Sequence, residues 1–461
     1  MKNTYKILIQ SLKWTLILVL IPLVSCENIE VETPNHLLSG ETLFTDPNTV
    51  EAAILSIYAN LRDNVICTGA PQGMSNLMGN YADEITYYST FSLAEEQFNK
   101  NTLVASNPTI EEIWNNAYNQ IYAANAIIEG VEGSVYFTED EQKQYIGEAL
   151  FCRALVHFYL LNLYGDIPYC TTTDYRYNQT VSRQSEAEVY NQIISDLLQA
   201  KEVLTSTDES GEHLRPNKYT AMALLARCYL YTQNWEQAEA ETTQLIENNG
   251  WETNIENVFL NNATSTLWQF SPNNNGGNTL EADTFIILAA PPSTRALSNH
   301  IVDAFEEDDL RKVHWVGQIS DATNTFYYPY KYKIGLGAGV SQEYSIVFRM
   351  AEQYLIRAEA RGRQGNISEA LIDINKIRNR AGLNNTTATT ETEVLAAVMQ
   401  ERKVELFTEH GHRFFDLKRN GQLDAVLGVT KPGWNHKNRL LPIPQRELLV
   451  NPNLQPQNQG Y

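Results

Sequence analysis

The sequence has little cysteine, an excess of acid over base and, beyond its amino-terminal segment, no long apolar run. Five Cys in 461 residues are too few for a disulfide-dense miniprotein. Cys67, Cys152, Cys170 and Cys228 lie 85, 18 and 58 positions apart, none of them a metal-ligand spacing, so no metal and no cofactor is expected. Cys152 and Cys228 sit among apolar helical residues and read as buried thiols acting as small hydrophobes. An oxidising compartment would also allow a Cys67–Cys170 bridge. With 34 Lys plus Arg against 55 Asp plus Glu, the formal charge is −21, a field that repels phosphate backbones and excludes nucleic acid as a partner. The imbalance is concentrated in residues 27–160, with 19 acids and 4 bases, whereas residues 401–420 hold 4 acids and 5 bases. No segment after residue 25 approaches the 18 consecutive apolar residues that would suggest a membrane span. What remains, 43% apolar with 24 Gly and 16 Pro, is the composition of a globule.

The amino terminus points to export. Lys2, Lys6 and Lys13 precede the apolar run Trp14–Val24, and no acid occurs before Glu27, the layout of a signal peptide over residues 1–25. The run ends in Leu23-Val24-Ser25-Cys26, which resembles the lipobox of bacterial lipoproteins and would make Cys26 the acylated first residue of the mature chain. Cleavage there removes three Lys and no acid, leaving a net charge of −24. Acyl chains contribute about 0.8 kcal/mol per buried CH₂, so residues 26–40 read as a lipidated tether.

Helical punctuation dominates the rest. Asp46-Pro47 opens a run through Leu61, Asn107-Pro108 one through Ile128, and Thr138-Glu139-Asp140-Glu141 is a capping box leading toward Leu163. Further helices are expected at 185–204, 217–232, 234–248, 350–364, 367–380, 391–409 and 412–419. Residues 250–348 turn to Asn, Gly, Pro and aromatics, with strand-like pieces at Thr266–Phe270 and Phe285–Leu288. The segment reads as a loop-rich insertion between helical blocks 41–249 and 349–461. Ala226–Asn234–Ala238 and Ala358–Asn366–Ala370 repeat the same intervals of eight and four. Small residues let two helices approach closely, and Asn tolerates the reversal between them. This is tetratricopeptide-like hairpin logic; residues 117–128 and 147–165 are candidates for further units of one stacked solenoid.

Four carboxyl-side blocks, RMAEQYLIRAEA (349–360), EALIDINKIRNRAGL (369–383), ERKVELFTEHGHRFFDLKRNGQL (401–423) and RLLPIPQRELLVNPNLQPQNQGY (439–461), together resemble the SusD/RagB family of outer-membrane lipoproteins. LYGDIPY (163–169), DDLRKVHW (308–315) and the lipobox fit the same pattern; the ending QNQGY departs from the more usual QNPGY. The resemblance implies a mainly α fold, a tetratricopeptide-type helical scaffold with short strands in the insertion, and a non-catalytic role. It implies a lid over a SusC-type TonB-dependent transporter that captures oligosaccharide at the cell exterior; in some branches of the family the ligand is peptide.

Arg402, Glu405, Glu409, Arg413 and Asp416 stand at helical spacings that would pair them along one face. Glu405 and Glu409 alone would suit a glycosidase pair, but with Arg so close they read as structural. His410 and His412 flank Gly411 and lack the spacing of a helical metal pair. Sugar recognition needs aromatic faces for the rings and planar polar groups for the hydroxyls. Position narrows the 25 Tyr: Asn80, Asp83, Tyr87, Tyr88 and Phe91 fall between the first two helices, where the resembled family commonly places one wall of its site. The insertion adds Asn273–Asn278, Trp315, Tyr327 and Tyr328. Trp315 competes with a core role, and adjacent tyrosines in extended chain face opposite ways, so one of each pair is expected inside.

Overall fold

The computed structural model describes residues 43–461 except Val65, Thr90, Glu209 and Ala338; the signal segment, Cys26 and the tether lie outside the described residues. Twelve helices of the scaffold are labelled here: α1 (Pro47–Asp63), α2 (Met74–Tyr81), α3 (Leu93–Lys100), α4 (Pro108–Val131), α5 (Glu139–Tyr164), α6 (Glu186–Val203), α7 (Lys218–Tyr231), α8 (Trp235–Asn248), α9 (Met350–Arg363), α10 (Ile367–Arg380), α11 (Glu391–Glu405) and α12 (His412–Arg419). The protein is mainly helical, as expected. The anticipated starts hold for a local reason: side-chain oxygens satisfy the first free N–H groups. Asp46 accepts from Asn48 N and Asn107 from Thr109 N. Thr138 and Glu141 form the reciprocal box, with Glu141 accepting from Thr138 N at 2.8 Å.

From α4 to α11 each helix packs on the next, an unbroken ladder in space although residues 250–348 interrupt it in sequence between α8 and α9. Ala226, Ala238, Ala358 and Ala370 are wholly buried at the crossings. One expectation about the turns is corrected. Asn234 and Asn366 are not the left-handed residues; those are their predecessors, Gln233 at φ 61° and Gly365 at φ 80°, and each Asn stands at the start of the following helix. Helix α5 is long and apolar enough to cross a bilayer, yet it is the scaffold's central core helix, buried almost without break from Tyr145 to Tyr164.

Among the described residues there are also six short strands: β1 (Ile85–Tyr87), β2 (Thr266–Phe270), β3 (Arg295–Leu297), β4 (Val316–Ser320), β5 (Thr325–Pro329) and β6 (Ser345–Arg349). They pair antiparallel as β1–β3, β2–β6 and β4–β5. The expected strand at Phe285–Leu288 is absent, because Thr279 caps a short helix, Leu280–Phe285, through Ala282 N. Helices α2 and α3 replace much of the loop expected between the first two long helices. The insertion is also no appendage: Trp268 on β2 and Phe348 on β6 are fully buried in the main core, and the Trp268 ring lies 5.2 Å from Phe151 of α5 and 6.1 Å from Tyr58 of α1. A second core joins Phe259, Trp315 and Tyr332 of the insertion to Val404 and Phe407 of the scaffold. Cys67, Cys152, Cys170 and Cys228 are all buried free thiols, so the Cys67–Cys170 bridge is not formed; burial pushes Cys67 up to about 12.

The insertion and the carboxyl-terminal helical block are joined by buried charge. Glu405 accepts from Arg349, Arg311 and Arg380, and Glu409 from Arg349 and Lys331. Expected pairing along one helix face is therefore corrected: α11 ends at Glu405, and Thr408 and His410 take φ of 52° and 44° before Gly411 at 78°. The break turns Glu409 toward the insertion and leaves Arg402 to bind Asp416 at 2.7 Å. Burial alone would raise both glutamates, but the surrounding guanidinium groups hold Glu405 far below the carboxylate range and, with Lys331, hold Glu409 at about 2. Because these folded-state values lie below the unfolded ones, the stabilisation is present above the unfolded glutamate value and is lost as pH falls toward 2. Glu405→Gln leaves three guanidinium groups without their shared anion and is expected to cost about 3–5 kcal/mol in urea unfolding at pH 7. The difference from wild type should shrink as the pH is lowered from about 4.5 toward 2.

Candidate functional site

The pairing of β1 with β3, and the packing of β3 against β5, bring two distant segments together. Tyr87 lies opposite Arg295, and Tyr88 N donates to Thr294 O at 2.7 Å. Alternation then separates the two tyrosines, as expected. Tyr87 is half-buried near Ser89 and Glu95, whereas the Tyr88 ring is 44% exposed and stands edge-on to Phe326 at 6.0 Å. Phe91 follows on a serine turn, its N–H bonded to Ser89 Oγ, and is 95% exposed.

On β5 the same rule sorts the insertion's aromatics. Tyr327 packs into the second core and Pro329 is buried, leaving Phe326, Tyr328 and Tyr330 on the outer side. Tyr328 meets Tyr330 at 5.7 Å, and Lys333 Nζ stands 5.6 Å above the Tyr330 ring. Across the hairpin Tyr328 pairs with Gly317, and a Cβ at that position would enter the tyrosine ring; the ring lies flat over the glycine. Tyr88, Phe326, Tyr328 and Tyr330 thus form a partly exposed aromatic strip. A cavity of about 280 Å³ formed by residues 283–295 adjoins it through Thr294 and Arg295. The hairpin turn is held by Asp321, which accepts from Thr323 N and Asn324 N at 2.7 Å each.

Four expected ligand residues stand elsewhere. Asn80 is fully buried and donates to Asn76 O. Asp83 is a buried partner of Arg413, with two bonds of 2.8 Å. Trp315, 1% exposed, donates from Nε1 to Ile255 O in the second core. Tyr327, half-buried, packs against that core. Of the insertion's Asn273–Asn278, Asn278 is buried, bonding Val340 O and the N–H groups of Gln342 and Glu343. The Asn80–Glu84 phrase is structural: Glu84 accepts from Thr408 N, and burial pushes its carboxyl up to about 8. Phe326 and Tyr330, which sequence reasoning did not single out, join the strip through the period-two run Thr325–Tyr330.

Glu405 and Glu409, the residues a glycosidase reading would choose, are saturated by cations in the interior. His410 bonds Ile346 O through Nε2, and no group of metal-ligating side chains occurs among the described residues.

The family described as "Starch-binding associating with outer membrane" matches residues 40–230, and the SusD family matches residues 316–461. The chain belongs to the SusD/RagB family. SusD-like protein P2 of Formosa agariphila is 29% identical, over 97% of this chain and 99% of the relative, and SusD-like protein P25 of the same organism is 26% identical over 95% and 97%. Solved folds agree. A SusD superfamily protein from Bacteroides vulgatus superposes with TM-score 0.80 at 23% identity, covering 90% of this chain and 99% of its own. A laminarin-binding SusD-like protein gives 0.75 at 21%, covering 90% and 100%. The α4–α11 ladder is therefore the SusD-type scaffold, and the aromatic strip is carried at its insertion side. Gly317→Ala should displace the Tyr328 ring and cost about 1–3 kcal/mol through overpacking, read as a lowered melting temperature with an altered near-ultraviolet tyrosine signal.

Proposed function

We propose that this SusD/RagB member captures neutral oligosaccharide on the strip Tyr88–Phe326–Tyr328–Tyr330, with Phe91 at its edge. The observation that carries the reading is a row of partly exposed rings on paired strands. Pyranose faces are flat and apolar, and partly exposed aromatic rings offer them a rigid surface at low entropic cost. Relatives described as binding laminarin or surface glycan share the fold, and the family description supports association with an outer membrane. The saccharide would be held without covalent chemistry and passed to a SusC-type TonB-dependent transporter that the protein covers as a lid, with acylated Cys26 as the anchor on the cell exterior. Peptide capture, as in RagB-like branches, is the second reading. The open, ring-rich strip weighs against it.

Purified residues 27–461 probed on a glycan and peptide array should bind a neutral saccharide; binding confined to peptides would overturn the reading. Tyr88→Ala and Tyr328→Ala should each weaken that binding about tenfold, on the order of 1.4 kcal/mol, with little change in melting temperature. Cys26→Ser should move the protein in cell fractionation from the membrane to the soluble fraction and abolish palmitate labelling.

A further inference from the structure

A cleft of about 680 Å³ lies elsewhere, and none of its lining residues belongs to the aromatic strip. Its walls come from α5, α6, α7, α12 and the segment 435–460. The volume is that of an ordinary small-ligand site. Three cations in it, Lys418, Lys437 and Arg439, make no ion pair among the described residues. Lys418 is partly buried, and its one hydrogen bond is 2.6 Å to the Asn162 carbonyl; Lys437 lies over the Tyr461 ring and reaches the Gly460 carbonyl at 3.5 Å; Arg439 makes no hydrogen bond and no ion pair among the described residues. Arg419 is engaged by Glu359 and Asp416, and His436 Nδ1 lies 2.8 Å from Asp424. One carboxylate, the exposed Glu186, lies at the rim. The other wall is half-buried aromatic, Tyr190 and Tyr231, and the Tyr231 hydroxyl is buried without a hydrogen-bond partner.

In a chain of formal charge −21, three cations without ion pairs around one concavity, against one rim carboxylate, are a local inversion of the field. Burying a charge without a partner is costly, and burial with the neighbouring Arg439, opposed by Glu186, pulls Lys418 down to about 8. An arriving carboxylate would relieve that cost and would accept a forked pair of bonds from Arg439. Tyrosine rings beside the cations suit the face of a sugar.

We propose that the cleft between α12 and the carboxyl-terminal segment is a second binding site, selective for carboxylate-bearing sugars, that is, uronic acid units. It rests on the glycan reading only in taking the ligand's frame to be a sugar; its charge selection is independent of Tyr88. The test is calorimetric titration of purified residues 27–461 with uronate trisaccharides (galacturonate, guluronate and a glucuronate-containing one) and with their neutral methyl esters. At least one acid should bind, its ester at least tenfold more weakly, and raising NaCl from 50 to 500 mM should reduce the acid's affinity several-fold. Arg439→Gln, at a partly exposed position, should weaken acid binding at least tenfold with an unchanged melting temperature, and Lys418→Met should do the same if it folds. Tyr88→Ala should leave it unaltered, so that failure of the aromatic strip and failure of this cleft are read separately. Absence of uronate binding, equal binding of acid and ester, or insensitivity to Arg439→Gln would each overturn the proposal.

Discussion

Glu405 and Glu409, with the cations gathered around them, are the constraint that holds the insertion to the carboxyl-terminal helices. Arg349 brings β6 to them, Arg380 brings α10, and Arg311 and Lys331 bring the segments that flank the β4–β5 hairpin. Lys331 Nζ also donates to the carbonyls of Glu405 and Phe407 at 2.8 Å. Those bonds fix the chain directly after β5, and Arg311, bound to Asp309 and Glu401, fixes it shortly before β4. Buried ion pairs of this kind are poor evidence of net stability, because desolvation offsets much of the attraction. What they impose is geometry: with both ends of the hairpin held, strand alternation leaves Phe326, Tyr328 and Tyr330 outside and Tyr327 inside.

The same logic bears out the structural reading of Glu405 and Glu409, whose spacing alone would suit a glycosidase pair. Acid–base catalysis needs a group poised near the working pH and open to substrate. Glu405 and Glu409 are buried and held strongly ionised by their partners. The protein's polar chemistry is spent on holding an insertion in place, and the surface that results is apolar and aromatic at one location and cationic at another. An acidic chain directs its general field against anionic polymers; a cleft with its own unneutralised cations is where such a chain would still read a single carboxylate.

Helix starts were legible because they depend on neighbours in sequence. Thr138 and Glu141 cap α5 whatever it packs against, and the equal spacing of Ala226–Asn234–Ala238 and Ala358–Asn366–Ala370 marks paired helices because a hairpin's crossing point depends on residue count. Legibility ended where an answer needed a partner far along the chain. Asn80 and Asp83 looked like a binding loop, but Asp83 meets Arg413, 330 positions away. Trp315 looked equally suited to a site and a core until Ile255 and Phe259 closed over it.

By itself, then, the sequence determined the mainly helical class, the capped and repeating hairpins and the acidic charge, all properties of local spacing and composition, while its carboxyl-side blocks carried the family resemblance. Tertiary structure alone decided which aromatics face water. Exposure of Tyr88 and Tyr328 rather than Asn80 and Trp315 follows from β1 pairing with β3, from β3 packing on β5, and from a buried charge network closing the insertion onto α11. Each of these contacts joins residues far apart in sequence, where spacing and propensity carry no information about what a side chain will meet.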